Sequence, residues 1–384
     1  VALRRNAIQY LGGGSSVLLF LCVLLGPAGA FAADAPSRTQ SGGAAAASIG
    51  VLSAGNSSTD VQVIADVAEV LDDGVRLRIV PIIGQGGVRN IDDLLALPLA
   101  GVAIVQSDVL SALKQDEAHQ DVGQKLVYIA KLFNEEVHVL ARRDVDALAQ
   151  LSGRKVAVGA AGSGSSVTAA AVFSALGIQI QPVWDPPSVA IAKLSAGEVD
   201  AVLYVAGKPA FFAREPGYAA LDGQPLHLLA IPTNEKLLAD YVPSTLSHQD
   251  YPDLIEQGQT VETISVPMVM VAAAMPKEQA QTIDLFVEAF FSKFPLFQEP
   301  ARHPKWRETN LAATIAGWPR LPAAVDWVRA NMATPEERKL QEVFYDMLRF
   351  IRDEGVRMDG KLNDEQLQAL FWRFVDWRAA RTAP

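Results

Sequence analysis

Cysteine is almost missing from this sequence: Cys22 is the single one among 384 residues. It sits in a short apolar run, VLLFLCVLL (17–25), that follows Arg4 and Arg5 and precedes GPAGAFAADA. A basic start, a brief apolar stretch and small residues at Ala30 and Ala32 form the pattern of an export signal cleaved after Ala32. The run is too short to span a bilayer, which takes about 20 apolar residues, so a retained anchor is the weaker reading. The paired arginines suggest twin-arginine export, but the residues after them match it poorly, and Leu21 stands where a lipoprotein site has a small residue. The expectation is therefore a periplasmic chain beginning at Ala33 with no cysteine, which excludes structural disulfides, thiol nucleophiles and cysteine metal sites.

Positive charge is scarce as well. Lys and Arg number 33 against 43 Asp and Glu, a net charge of −10; without Arg4 and Arg5 the balance is 31 against 43, or −12. An acidic chain with no basic run lacks the means to neutralise phosphates, so nucleic acid is excluded as a partner. No stretch beyond the N-terminal run is long and apolar enough to be a membrane span. His119, His138, His227, His248 and His303 are scattered without metal-ligand spacing, and no carboxylate pair stands out as acid and base. The glycine-rich stretch VGAAGSGSSVTAAAVFSAL (158–176) lacks the lysine of a phosphate loop and any serine in a G-x-S-x-G setting. Gly162 and Gly164 begin a dinucleotide fingerprint, with Asp185 at the ribose position, but Val167 stands where its third small residue belongs. The chain is expected to bind rather than to catalyse, with no cofactor and no metal; an exported enzyme or a ligand-presenting sensor on the same fold is the alternative.

What is present is an α/β chain of about two domains' length. After a Ser/Gly/Ala leader (33–47), short β-branched runs alternate with helical patterns, first from IGVLSAG to GVAIVQ, then again from RKVAVGAA to LHLLAIP. Between the two series, KLVYIAKLFNEEVHVLARR reads as two strands in close succession; after the second, VETISVPMVMVAAAM is one long β-rich segment. Such alternation predicts parallel strands covered by helices, with Gly/Ser loops at the strand ends where open α/β sheets bind ligands. Those loops are 53–58, 84–89, 106–108, 162–166 and 204–208.

PIIGQGGVRNIDDLL with GVAIVQSDVL, then LFNEEVHVLARRDV, LSGRKVAVGAAGSGSSVTAAAVFSALG, AIAKLSAGEVDAVLYVAGKPA and IPTNEKLLADYVPSTLSHQDYP resemble, in order, the motifs of the TAXI family. These are the extracytoplasmic solute-binding subunits of tripartite ATP-independent periplasmic (TRAP) transporters, and the resemblance runs from about Ile49 to Trp327. It implies a type II periplasmic-binding-protein fold that acts as a monomer, closes on a small carboxylate such as glutamate and delivers it to a membrane permease. Lobe one would comprise 48–141 and 261–330, lobe two 142–260, and a helical extension 331–384. The stretches SAGNSSTD and GWPRLPAAVDW depart from the family pattern, so the solute's identity does not transfer. In the extension, Thr334, Pro335 and Glu337 make a capping box ahead of an apolar face, which packs on lobe one or docks a membrane partner.

Each lobe supplies part of the expected ligand site. Ser163, Ser165, Ser166 and Thr168, with Gly164 in the turn, sit at or just inside the N-terminus of a helix formed by SVTAAAVFSAL (166–176) and ending at Gly177, whose free N–H groups and dipole suit a small anion. Arg89 is the expected countercharge, unless it is a solvent-facing loop residue. Gln85, Asn90 and Gln106 offer neutral contacts, although Asn90 also suits a helix cap. Ser53, Asn56, Ser57, Gly86 and Gly87 complete the loops, and Tyr204 forms an apolar wall with a polar tip.

Overall fold

Two series of short buried strands, joined by two long ones, build the sheet. The computed structural model describes residues 46–55, 58–119, 121–214, 220–221, 224–274 and 277–332, with scattered residues between 343 and 378. The expected signal, most of the leader and most of the C-terminal extension lie outside the described residues.

The first series is β1 (Ala47–Leu52), α1 (Ser58–Leu71), β2 (Leu77–Ile82), α2 (Gly87–Ala96), β3 (Ala100–Gln106), α3 (Ser107–Leu113), the short α4 (Val122–Lys125) and β4 (Leu126–Arg142). The second is β5 (Lys155–Ala157), α5 (Gly164–Leu176), β6 (Gln181–Val183), α6 (Pro187–Ser195), β7 (Ala201–Ala206), β8 (Ala220–Leu221), β9 (Gln224–Leu228), α7 (Glu235–Leu238), β10 (Val242–Ser247) and β11 (Thr260–Ala273). Helices α8 (Lys277–Ser292), α9 (Phe294–Phe297) and α10 (Pro322–Met332) follow. No helix among the described residues is long and apolar enough to cross a membrane.

The strands lie in the order β2-β1-β3-β11-β4-β7-β5-β6, with β10 added to β11 and β9 to β4. Pairing is parallel within β2-β1-β3 and within β7-β5-β6, as the alternation predicts. It is antiparallel wherever β4 or β11 takes part. The stretch read as two strands is one, β4, 17 residues long. Its Asn134-Glu135-Glu136 centre looks like a break because polar residues interrupt the apolar run, yet both glutamates are buried. The sequence reading also passed over β10, an edge strand whose Pro243 faces no second neighbour.

Both long strands change partners near their middles. β4 pairs with β11 as far as Glu136 and with β7 from there to Ala141. β11 pairs with β10 up to Ser265 and with β3 from Met268, and Pro267 falls at an irregularity in its register with β4. A proline is tolerated mid-sheet at such a point, where no regular ladder bond is asked of it.

The cores follow the period of two along each strand. In β3, Val102 and Ile104 pack with Val63 and Val67 of α1 and Phe286 and Phe290 of α8, whereas Ala103 and Val105 face Ile91 of α2 and Val109 of α3. In β7, Leu203 and Val205 meet Val172 and Phe173 of α5, while Val202 and Tyr204 meet Ala190 and Leu194 of α6. Each half is thus a sheet covered on two faces. Beside α8, the fully buried Trp306 donates from Nε1 to Asp66 Oδ2 at 2.9 Å, and the same oxygen accepts the His303 amide at 2.9 Å.

Candidate functional site

The loops of the first half are sewn together from within. Ser53 Oγ donates to Gly55 O at 2.6 Å and accepts from the Gly84 amide at 3.0 Å. Asn90 Nδ2 donates to Ser53 O at 2.6 Å and Ile104 O at 3.3 Å, and its Oδ1 accepts from the Gly86 amide at 2.9 Å. Both residues are fully buried with their polar atoms committed to backbone, so they shape the loops and do not present groups to a solute. Gly86 and Gly87 take positive φ of 81° and 59°. A Cβ on Gly87 would lie 2.2 Å from Gly162 O and 2.7 Å from the Gly164 nitrogen, which requires glycine where the two halves meet. The Val88 amide donates to Gly162 O across that contact at 3.1 Å.

Helix α5 ends at Gly177 as its sequence predicts and begins at Gly164, ahead of the expected start at Ser166. Ser163 is the N-cap and accepts from the Ser166 amide at 3.3 Å, while Gly177 stops the helix at φ 68° with its own amide on Ser174 O and that of Ile178 on Phe173 O. The hydroxyls then diverge. Ser165 Oγ accepts the Val205 amide at 3.1 Å, Ser166 Oγ donates back to Ser163 O at 2.7 Å, and Thr168 Oγ1 donates to Asp108 Oδ2 of α3 at 2.6 Å. Tyr241 OH donates to the same Asp108 oxygen at 2.8 Å. Burial pushes the Asp108 carboxyl up to about 6 against the pull of these two donors.

A cavity of about 360 Å3 lies between the halves. Of the residues expected at the site, the structure brings Gln85, Gln106, Ser163, Gly164, Ser165 and Tyr204 to its walls. Gln106 Oε1 occupies the place a Gly164 side chain would need, 1.5 Å from where its Cβ would stand. The other expected residues are elsewhere. Ser53, Gly86, Gly87, Asn90 and Thr168 hold the framework, and Ser166 opens onto a separate groove beside Phe173 and Trp184. Arg89 is exposed, because α2 starts at Gly87 and turns Asn90 and Ile91 inward; its stem lies against Gly162, outside the cavity walls. Asn56 and Ser57 lie outside the described residues.

Two carboxylates that the sequence reading did not single out also line the cavity, Asp60 from the first turn of α1 and Glu135 from β4. Glu135 is buried, and burial together with the Asp60 charge holds its carboxyl well above the usual range, against the pull of Lys305. Its neighbour Glu136 points to the opposite face, where Oε1 pairs with Lys305 Nζ at 2.9 Å and Oε2 accepts the Lys208 amide at 3.2 Å. The usable signal was a doubled acid inside an otherwise apolar strand segment, LFNEEVHVL.

Residues 51–324 match the NMT1-like family. The chain belongs to that family. Similar solved structures include the periplasmic binding protein BugD, 14% identical over 68% of this chain and 85% of that one, with a TM-score of 0.41. The alkanesulfonate-binding protein SsuA from Xanthomonas axonopodis pv. citri, bound to MOPS, is 17% identical over 69% of this chain and 84% of that one, with a TM-score of 0.38. A TctC solute binding protein from Polaromonas is 13% identical over 68% of this chain and 86% of that one, with a TM-score of 0.37. In the NMT1-like match, both β4 and β11 fall inside the matched span, so the family covers the crossing strands as well as the loops around the cavity.

Proposed function

We propose that this chain is a periplasmic solute-binding protein that captures one small carboxylate-bearing solute between two lobes and hands it to a TRAP-type membrane permease. The lobes are 48–141 with 261–330, and 142–260, joined where β4 and β11 exchange partners. The observation that carries this reading is the cavity itself: Gly84, Gln85 and Gln106 from one series of strand ends and Ser163, Gly164 and Ser165 from the other form its walls. The first turn of α5 supplies the carboxylate seat, through its unpaired amides and the Ser163 and Ser165 hydroxyls, with no basic side chain needed. Affinity by calorimetry and small-angle scattering on the same samples test it together. A bound carboxylate should make the protein more compact, and a Ser165→Ala variant should bind it more weakly, by a net ~0.5–1.5 kcal/mol for one neutral hydrogen bond. Absence of any small-molecule binding, or binding without compaction, would refute the two-lobe capture.

A further inference from the structure

The cavity has two chemically different ends. One is the α5 N-terminus, rich in donors. The other holds two carboxylates, Glu135 and Asp60, whose proximity shows in the Asp60 charge raising the Glu135 carboxyl. No Lys, Arg or His is among the lining residues. The cation nearest in function, Lys305, has its ammonium on Glu136 at 2.9 Å and Glu308 at 3.0 Å, on the other face of β4.

Glu135 is the decisive group. Its side chain accepts the Gly207 amide, but Oε1 is buried with no donor, and Gln106 Oε1 is in the same condition. Buried acceptors are almost always met in folded proteins, and a carboxylate left unmet beside a second carboxylate is costlier than a neutral group. The charges that face Glu135 are Asp60 from α1, Glu136 on its own strand and Lys305 from the 304–308 turn, and the cavity side of that set is negative. A neutral donor would satisfy the hydrogen bond but would not offset the Asp60 charge that raises the Glu135 carboxyl, whereas a cation does both. A hard metal cation wants six or more oxygens, more than these two carboxylates supply.

We infer that the solute carries a protonated nitrogen, seated on Glu135 with Asp60 as the second acceptor. This rests on the solute-capture reading above and narrows its substrate class to compounds with a cationic nitrogen, zwitterions included.

The test is a thermal-shift and calorimetry panel on the full chain, in matched pairs. L-glutamate is set against glutarate, 4-aminobutyrate against butyrate, and 1,4-diaminobutane against 1,4-butanediol, with sodium and calcium chloride as separate arms. The expected result is a rise in Tm with at least one nitrogen cation and none with its nitrogen-free partner, and at least tenfold weaker binding by Glu135→Gln. That variant keeps the size of the side chain; if it fails to fold, Asp60→Asn takes its place with the same expectation. Equal binding of a nitrogen-free partner, unchanged affinity in the variant, or a shift by a metal salt alone overturns the inference while leaving solute capture intact. If no compound in any arm shifts Tm, both readings fall.

Discussion

Replacing Lys305 by Met removes one ammonium and little else. The lysine side chain is 3% exposed and Glu136 is 5% exposed, with Nζ and Oε1 2.9 Å apart, so the pair is out of water. Methionine keeps most of the stem and its packing. Glu308, half exposed, can turn to solvent when its partner goes. Glu136 cannot: it retains the Lys208 amide at 3.2 Å and loses the ammonium that sits 2.9 Å from Oε1. Breaking a buried pair by removing one partner costs ~3–5 kcal/mol, against at most ~1 kcal/mol for an exposed pair. Burial already outweighs Lys305 and holds the Glu136 carboxyl above its ordinary value. In the variant that shift grows, so the loss should be largest at high pH and shrink as the pH falls and the folded state takes up a proton. Urea unfolding followed by tryptophan fluorescence suits the question, since buried Trp306 is the adjacent residue. Adding Glu136→Gln to Lys305→Met should recover most of the stability. A single variant within ~1 kcal/mol of the parent, or a double variant no better than the single, would refute the account.

Two further outcomes are expected. Asp108 has a folded-state value of about 6, raised by burial, so its contribution to stability is complete below the ordinary carboxylate range and is lost as the pH rises through 6. The stability difference between the parent and Asp108→Asn should therefore move by ~3 kcal/mol between pH 4 and pH 7 in urea titrations, two pKa steps at ~1.4 kcal/mol each, and a flat difference would count against it. Gly87→Ala places a Cβ 2.2 Å from Gly162 O in the other half, so the halves must separate by about 1 Å to reach ordinary contact, with loss of the Val88–Gly162 bond. Scattering should then report a larger radius and calorimetry a weaker solute affinity, on top of the ~1–2 kcal/mol that an alanine at positive φ costs in either state; an unchanged radius with unchanged affinity would show that the contact is not needed for closure.

Local chemistry was legible in the sequence, and remote pairing was not. The end of α5 at Gly177 needs only its own neighbours and stands where the sequence puts it. Ser53 and Asn90 were correctly placed at strand ends but misjudged in role, because their partners, Gly84 and Ile104, come from other loops and strands. Arg89 takes the solvent-facing alternative that its sequence left open. The start of α2 at Gly87 fixes which face residue 89 occupies, and a shift of a few residues in a helix boundary turns a side chain from a cleft to solvent. Glu135 and Glu136 were missed because acids inside a strand read as a break, unless, as for Glu136, a cation is known to await them. That cation, Lys305, lies 169 residues further along the chain.

Adjacent positions on β4 divide two tasks between opposite faces of one strand. Glu136, tied to Lys305, fixes the strand to the 304–308 turn, and Glu135, one peptide away, lines the cavity. Both sit where β4 leaves β11 for β7, the one stretch of that strand shared by the two halves. Under the proposed capture, a charge placed there would face the solute however the walls close, whereas groups on the loops, such as Gln85 or Ser163, would meet it only once the walls have come together. Glu135 at the crossing and the donors at the α5 N-terminus therefore differ in kind: the first is built into the continuous sheet, and the second stands on a helix end beside it. A solute that must bridge them carries complementary charge at both ends, and it gains its second contact only in the closed arrangement, which is the differential affinity that closure on a ligand requires.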